Sequence, residues 1–389
     1  MQQLSSFSVW LLCLLPYLVD AQSPFWQRDY RFQNNIEYLS AAVAFDSSGF
    51  TMATNTYTPN YTVQGVVFKV DRQGETVWSH YYDSIQYRKI LPTRDSGYIL
   101  FGEHRFDNKT IQKINKLGVQ QWRKTTTHPY DYVKSIKQTH DLGYIVRGYD
   151  NGMYLEKLDA LGNILWRKTW QAERVGGSFV IGKQLWELPD GGFILNDWTF
   201  NASAFIRTDS LGNRLWRIEL IDPALNFNSN DVDVQDNKIT YTTTTDDPNS
   251  TNPLLYINQL DLQGNWIRTT EIPAKQIWSS QLVKRRSGGY WLYYTQDTTF
   301  PISGRVDNLV RLDANGVLMS RKTLSLPNAT AYTFFNMAEA SDTSLFFYNN
   351  LENDKAFMMV TDTNGRAYRN VIRGQLSSNC SNRFANWSV

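Results

Sequence analysis

This 389-residue sequence predicts an all-β chain folded as a single seven-bladed β-propeller of four-stranded antiparallel blades, and three observations carry the prediction. One short element recurs seven times, and a second recurs ahead of each copy. After residue 22 no sustained 3.6-residue apolar stripe with a capping box occurs, which leaves helices without a sequence basis.

The first element reads VFKVDRQGETVW at 67–78, IQKINKLGVQQW at 111–122, LEKLDALGNILW at 155–166 and FIRTDSLGNRLW at 205–216. Weaker copies follow as INQLDLQGNWIR at 257–268, LVRLDANGVLMS at 309–320 and MMVTDTNGRAYR at 358–369. Their turn glycines, Gly74, Gly118, Gly162, Gly212, Gly264, Gly316 and Gly365, are spaced by 44, 44, 50, 52, 52 and 49 residues, a period that fits propeller blades. A β-solenoid would need shorter repeats and a capping element. The second element is Gly97-Tyr98-Ile99-Leu100 and its relatives at Gly143, Gly192 and Gly289, with Gly49-Phe50, Lys238-Ile239 and Ser344-Leu345 as degenerate members.

Each unit reads as a meander. An aromatic and β-branched run before Asp95-Ser96-Gly97 gives a first strand, 98–102 a second, 110–114 a third and 119–125 a fourth. Asn115 and its Asp counterparts can bond the turn backbone, and the glycine that follows is free to take positive φ. Trp78, Trp122, Trp166 and Trp216 each follow that glycine by four residues and are expected to pack between neighbouring blades. Residues 25–30 resemble a fourth strand with no partners before it, so they are expected to complete the last blade and remove an open edge. Segment 366–372 competes for the same place, so that either the last blade holds five strands or one segment is displaced.

These units resemble those of secreted, mostly bacterial β-propeller proteins with Leu-Asp-x-x-Gly-Asn-x-x-Trp blades. They are broadly similar to quinoprotein-like propellers too, although quinoprotein repeats place one more residue between Asp and Gly. The resemblance implies an architecture that hosts enzymes, scaffolds and binding proteins alike.

At 42% hydrophobic and 20% charged the chain can bury a large core, and 39 Lys+Arg against 37 Asp+Glu excludes a general nucleic-acid binder. Residues 7–19 form an apolar run too short to span a bilayer, followed by Val19-Asp20-Ala21, so residues 1–21 are expected to be a secretory signal peptide. The remaining divisions are the propeller, 22–373, and a polar tail, 374–389. No second stretch suggests membrane insertion. Cleavage after Ala21 leaves Cys380 alone, so stability must come from burial and backbone pairing rather than an intrachain disulfide.

No metal site or cofactor is expected. His80, His104, His128 and His140 lack paired-ligand spacing, and the first three fall in connections expected to be exposed. If first strands line the channel, Asp231, Asp233 and Glu339 are the candidate catalytic carboxylates, beside Arg88, Lys134, Lys137 and Lys183. Connections between second and third strands differ strongly in length, as at 55–65, 103–109, 198–203, 242–253 and 295–307. They share a face with the variable blade-to-blade connections, while the opposite face is uniform, and a binding site is expected on the variable face. Trp198, Tyr57, Tyr61 and Phe106 are its candidate ligand-binding residues, Trp198 foremost. Of seven Asn-x-Ser/Thr sequons, Asn60, Asn108, Asn201, Asn249 and Asn328 would carry glycans on that face in a eukaryotic source.

The expected function is a secreted, non-catalytic recognition module for a glycan or an extracellular protein. The alternatives are a polysaccharide hydrolase or lyase with its site at the channel mouth, and a structural surface component assembling through Cys380 or the tail.

Overall fold

The computed structural model describes residues 27–31, 42–46, 48–57, 63–104, 108–125, 132–149, 152–170, 174–175, 178–179, 184–199, 202–221, 225–245, 254–274, 277–297, 305–324, 336–341, 343–351, 355–364, 366 and 371–375. Seven antiparallel meanders follow one another and form a seven-bladed β-propeller. Blade 1 runs Ala42–Asp46, Gly49–Tyr57, Val63–Asp71, Thr76–Asp83; blade 2 Ile85–Pro92, Tyr98–His104, Asn108–Ile114, Gln120–Thr125; blade 3 Tyr132–Gln138, Tyr144–Tyr149, Met153–Leu158, Ile164–Trp170. Blade 4 runs Gln184–Glu187, Phe193–Thr199, Ala202–Thr208, Arg214–Ile221; blade 5 Leu225–Gln235, Lys238–Thr245, Leu254–Asp261, Trp266–Pro273; blade 6 Ile277–Lys284, Tyr290–Asp297, Arg305–Leu312, Leu318–Leu324. Blade 7 begins Asn336–Ser341, Ser344–Leu351, Lys355–Asp362 and is completed from both chain ends. A short ribbon, Arg174–Val175 with Ser178–Phe179, stands between blades 3 and 4.

Burial follows the order of strands. First strands of consecutive blades approach one another around the channel. Second and third strands are covered on both sheet faces by neighbouring blades, which is why they read as near-continuous apolar runs; Met153–Leu158 is buried at all six positions. The fourth strand is the outer edge, and Leu318–Leu324 is exposed except at Leu324.

Ring closure uses both segments that the sequence offers. Gln27–Arg31 takes the fourth place in blade 7, antiparallel to Lys355–Asp362, with Gln27 opposite Met359 and Tyr30 opposite Ala356. Val371–Gln375 then pairs parallel to it on the outside, Gln27 opposite Val371, so the blade has five strands. The later segment leaves the Asp362 turn with the antiparallel place already filled, and only the outer edge remains to it.

The turn between third and fourth strands is the same device throughout. One side-chain oxygen of Asp71, Asn115, Asp159, Asp209, Asp261, Asp313 and Asp362 accepts two backbone N–H groups, two and four residues on, at 2.7–3.0 Å. Bonds from the backbone and side chain of Asn163 and Asn213 hold the Asp159 and Asp209 carboxyls below the ordinary range. The glycine at the end of this turn must take positive φ, +78° at Gly162, and it must also lack a side chain. A Cβ on Gly162 would sit 2.8 Å from the Trp122 ring of the preceding blade, and one on Gly212 would sit 2.8 Å from Trp166. The Trp122 and Trp216 indoles donate to Ala160 and Leu262 carbonyls of the next blade. Each repeated Trp therefore packs across a blade junction, half-buried, against the next blade's turn.

Pairing runs further into the variable-face connections than the sequence suggests. The ladder continues to Tyr57 opposite Val63, His104 opposite Asn108, Thr199 opposite Ala202 and Asp297 opposite Arg305, because each hairpin already has a ladder to extend, and Tyr57, Val63 and Thr199 are good strand formers besides. Tyr57, Asn108 and Trp198 thus lie in strands rather than loops. His80 and His104 also lie in strands rather than exposed connections, and the half-buried His80 ring bonds the Leu117 carbonyl at 2.9 Å.

Candidate functional site

Three consecutive inner strands place one residue each at the same level of the channel wall. Lys137 stands opposite Ile145, Trp186 opposite Ile194 and Asp233 opposite Thr240, each paired beside the second-strand position that follows the turn. The shared register brings them together as a row across blades 3, 4 and 5. The Lys137 ammonium lies 5.0 Å from the centre of the Trp186 ring, and the Trp186 indole N–H donates to Asp233 Oδ1 at 3.2 Å. Asp233 Oδ2 is buried without a donor among the described residues.

Charge in this row is unbalanced. Burial, then the nearby charges of Lys89 and Lys284, push the Lys137 ammonium down to about 8, and the attraction of Asp233 opposes them. Burial pushes the Asp233 carboxyl up, against the pull of Lys137 and Lys284 and the bond from Trp186. Burial also lowers Lys89. Both members of the opposed pair move toward neutrality, so in this narrow space the loss of water outweighs their mutual attraction. Lys89 and Lys137 are only partly accessible and Lys284 is exposed, as expected for side chains ringed by protein yet open to channel water.

The other sequence candidates fall elsewhere. Glu339 lies two residues before the end of the first strand of blade 7, where the Arg286 N–H donates to Oε2 at 2.6 Å and the Trp291 indole to Oε1 at 3.2 Å. Gln138 and Glu187 do the same at other junctions, accepting the Arg94 and His140 N–H groups at 2.8 and 2.9 Å. Glu339 belongs to this set of inter-blade acceptors, whose common position near the end of the inner strand could have been found by aligning the units. Arg88 is paired with Glu103 at 2.8 Å, outside the row. Asp231 lies in the first strand of blade 5, Tyr57 and Trp198 near the ends of second strands, and Asn108 at the start of a third; their side chains lie outside the described residues, as do Tyr61, Phe106, Lys183, Asn60, Asn201, Asn249 and Asn328 in full. Among the described residues no group of three or more His, Cys, Asp or Glu side chains is placed to hold a metal ion.

Sequence reasoning found Lys137 and Asp233 but missed Trp186, Lys89 and Lys284. Trp186 carries no mark in the linear pattern, since it lies in a first strand, outside the element that holds Trp78, Trp122, Trp166 and Trp216.

Beside the channel row, the second strands of blades 3 and 4 carry a buried ion pair, Arg147 with Asp197; Arg147 also donates to the Asn196 carbonyl at 2.8 Å. A cleft beside it is lined by Met153, Trp170, Leu195 and Ile206.

No family model and no curated protein matches the chain. Solved structures do. The β-propeller domain of the Trilobed protease from Pyrococcus furiosus, described as having an open velcro topology, is 9% identical with a TM-score of 0.52, covering 85% of this chain and 98% of that one. The β-propeller domain of Cps50 (Swd1) from Myceliophteria thermophila is 9% identical with a TM-score of 0.50 over the same shares. At such identity the likeness concerns the fold alone.

Proposed function

We propose that the protein is a secreted, non-catalytic recognition module that binds a glycan or an extracellular protein at the variable-face end of the propeller. The observation that carries this reading is the contrast between the two faces. On one, seven turns repeat a single Asp- or Asn-pinned geometry. On the other, the second-to-third-strand ladders end at different lengths, which is how a fixed scaffold presents a site of its own. The channel wall supports binding over hydrolysis. Glu339 is occupied at a blade junction, and Asp233 faces ammonium groups and, among the described residues, no second carboxyl, whereas glycoside hydrolysis uses two carboxyls flanking one bond.

The test is a glycan-array screen of residues 22–389, with each positive incubated and examined for turnover by mass spectrometry. Binding without turnover, weakened in Trp198→Ala, is the expected result. Cleavage of a bound glycan would overturn the non-catalytic reading, and silence across the array would leave an extracellular protein as the ligand.

A further inference from the structure

We infer that the channel row is an anion subsite, in which Lys89, Lys137 and Lys284 receive the carboxylate or sulfate group of an acidic sugar. This rests on the recognition-module reading only in taking the ligand to be a glycan, for the row stands beside the first-to-second-strand turns, at the channel end opposite the variable face. Lys137 of blade 3 lies close enough to Lys89 of blade 2 and Lys284 of blade 6 to be repelled by both, and among the described residues Asp233, joined to it through Trp186, is the one carboxylate that opposes them. Among the described residues no carboxylate forms an ion pair with any of the three. Buried lysines elsewhere in the ring are treated differently. Lys113 is paired with Asp95 and Lys157 with Asp141 at 2.8 Å, and Lys109 with Glu156 at 2.9 Å. The channel lysines differ from these three in having no carboxylate paired with them among the described residues.

The fold holds that surplus charge in place. Trp186 is itself buried and cannot be a stacking platform; its ring supports Lys137 from one side and its N–H fixes Asp233. Gathering like charges in a narrow, poorly hydrated space opposes folding, and a bound anion would relieve that cost. Low-dielectric walls focus the field along the channel axis, so an anionic group is drawn in while neutral sugars gain nothing from the row. Arg88 does not add to the site, since Glu103 neutralises it.

The experiment is thermal unfolding of residues 22–389 in sodium sulfate against sodium chloride at equal ionic strength, followed by titration with a uronic-acid disaccharide, a sulfated disaccharide and a neutral one. Sulfate should raise the melting temperature of the wild type by several degrees more than that of Lys137→Gln, which reports only the general stabilisation by sulfate. Acidic disaccharides should bind at least about tenfold more tightly than the neutral one. Asp233→Asn should strengthen acidic binding, which a merely structural role for Asp233 would not do. Lys284→Gln, at an exposed position, serves if Lys137→Gln unfolds. Equal melting in sulfate and chloride, or neutral and acidic sugars bound alike, would overturn the subsite. A glycan array that binds neutral and acidic sugars alike would overturn the subsite alone, whereas a silent array would overturn the glycan reading and the acidic-sugar ligand with it, so the two failures are distinguishable.

Discussion

Between blades 3 and 4 an apolar cluster of Ile145, Leu155, Leu185, Phe193 and Leu195 is joined by a buried ion pair, Arg147 with Asp197, and by Trp166 lying against Gly212. Between blades 7 and 1 the same backbone geometry is joined by Phe50, Met52, Phe68, Phe346 and Met358, with Phe50 and Phe346 stacked at 4.5 Å. The Trp lock runs through the junctions from blade 1 to blade 5. It lapses afterwards, where Gln259 reaches the Ala314 carbonyl in place of an indole. One repeat therefore accepts two kinds of adhesive. Directional contacts tolerate almost no change of chemistry, whereas an aliphatic and aromatic seam tolerates changes of shape that conserve volume.

The largest effect is expected from deleting 27–31, which strips blade 7 of pairing on both sides of that strand and should lower the melting temperature by about 10 °C or more. An unchanged melting curve would mean that Val371–Gln375 can take over the vacated place. Conservative swaps then probe the two adhesives directly. Asp197→Asn leaves Arg147 buried without its counter-charge and should cost about 3 kcal/mol, while Met358→Leu at the apolar junction should cost less than about 1.5 kcal/mol by denaturant titration. Equal costs would erase the distinction between the junctions.

Trp166→Ala should cost about 3 kcal/mol through the cavity it leaves at the junction. Gly162→Ala and Gly288→Ala separate backbone strain from junction packing, since both glycines have positive φ but nothing lies within 4 Å of a Cβ at Gly288. The first should cost about 2–3 kcal/mol and the second about 1 kcal/mol. The smallest effect concerns acid. Burial alone would raise the Asp141 carboxyl, but bonds from Lys157, Thr139 and the Gly143 N–H overcome this and bring it to about 2. Its contribution to stability is complete above the ordinary carboxylate value of 3.8 and fades as pH falls through about 2. Asp141→Asn should therefore destabilise at pH 6 and make no difference at pH 1.5, measured by urea unfolding at each pH.

The architecture was legible because its information is local and repeated. An Asp or Asn that pins a turn and the glycine that ends it recur in every unit, an indole follows that glycine in four of them, and each repetition checks the others. The five-stranded closing blade was half visible, since 25–30 and 366–372 both read as strands and only pairing could assign their places. The channel row was harder. Lys137, Trp186 and Asp233 are 49 and 47 residues apart and share no motif, and what unites them is register between blades. Glu339 was misleading for a related reason. A carboxylate on an inner strand reads as a channel group until the bond to the preceding blade's turn is seen.

Strand Gln27–Arg31 also orders events in time. It stands against Met359, which is 332 positions later, so it leaves the ribosome long before its partner and is among the last strands to be paired. Six blades can form by short hairpin steps while that segment waits with both edges unpaired. The search that ends the wait closes almost the whole chain into a loop, and such long-range contacts are slow to form. The seam that finishes the ring is thus where folding is slowest and where the unfinished molecule is most open to pairing with a neighbour's strand instead of its own.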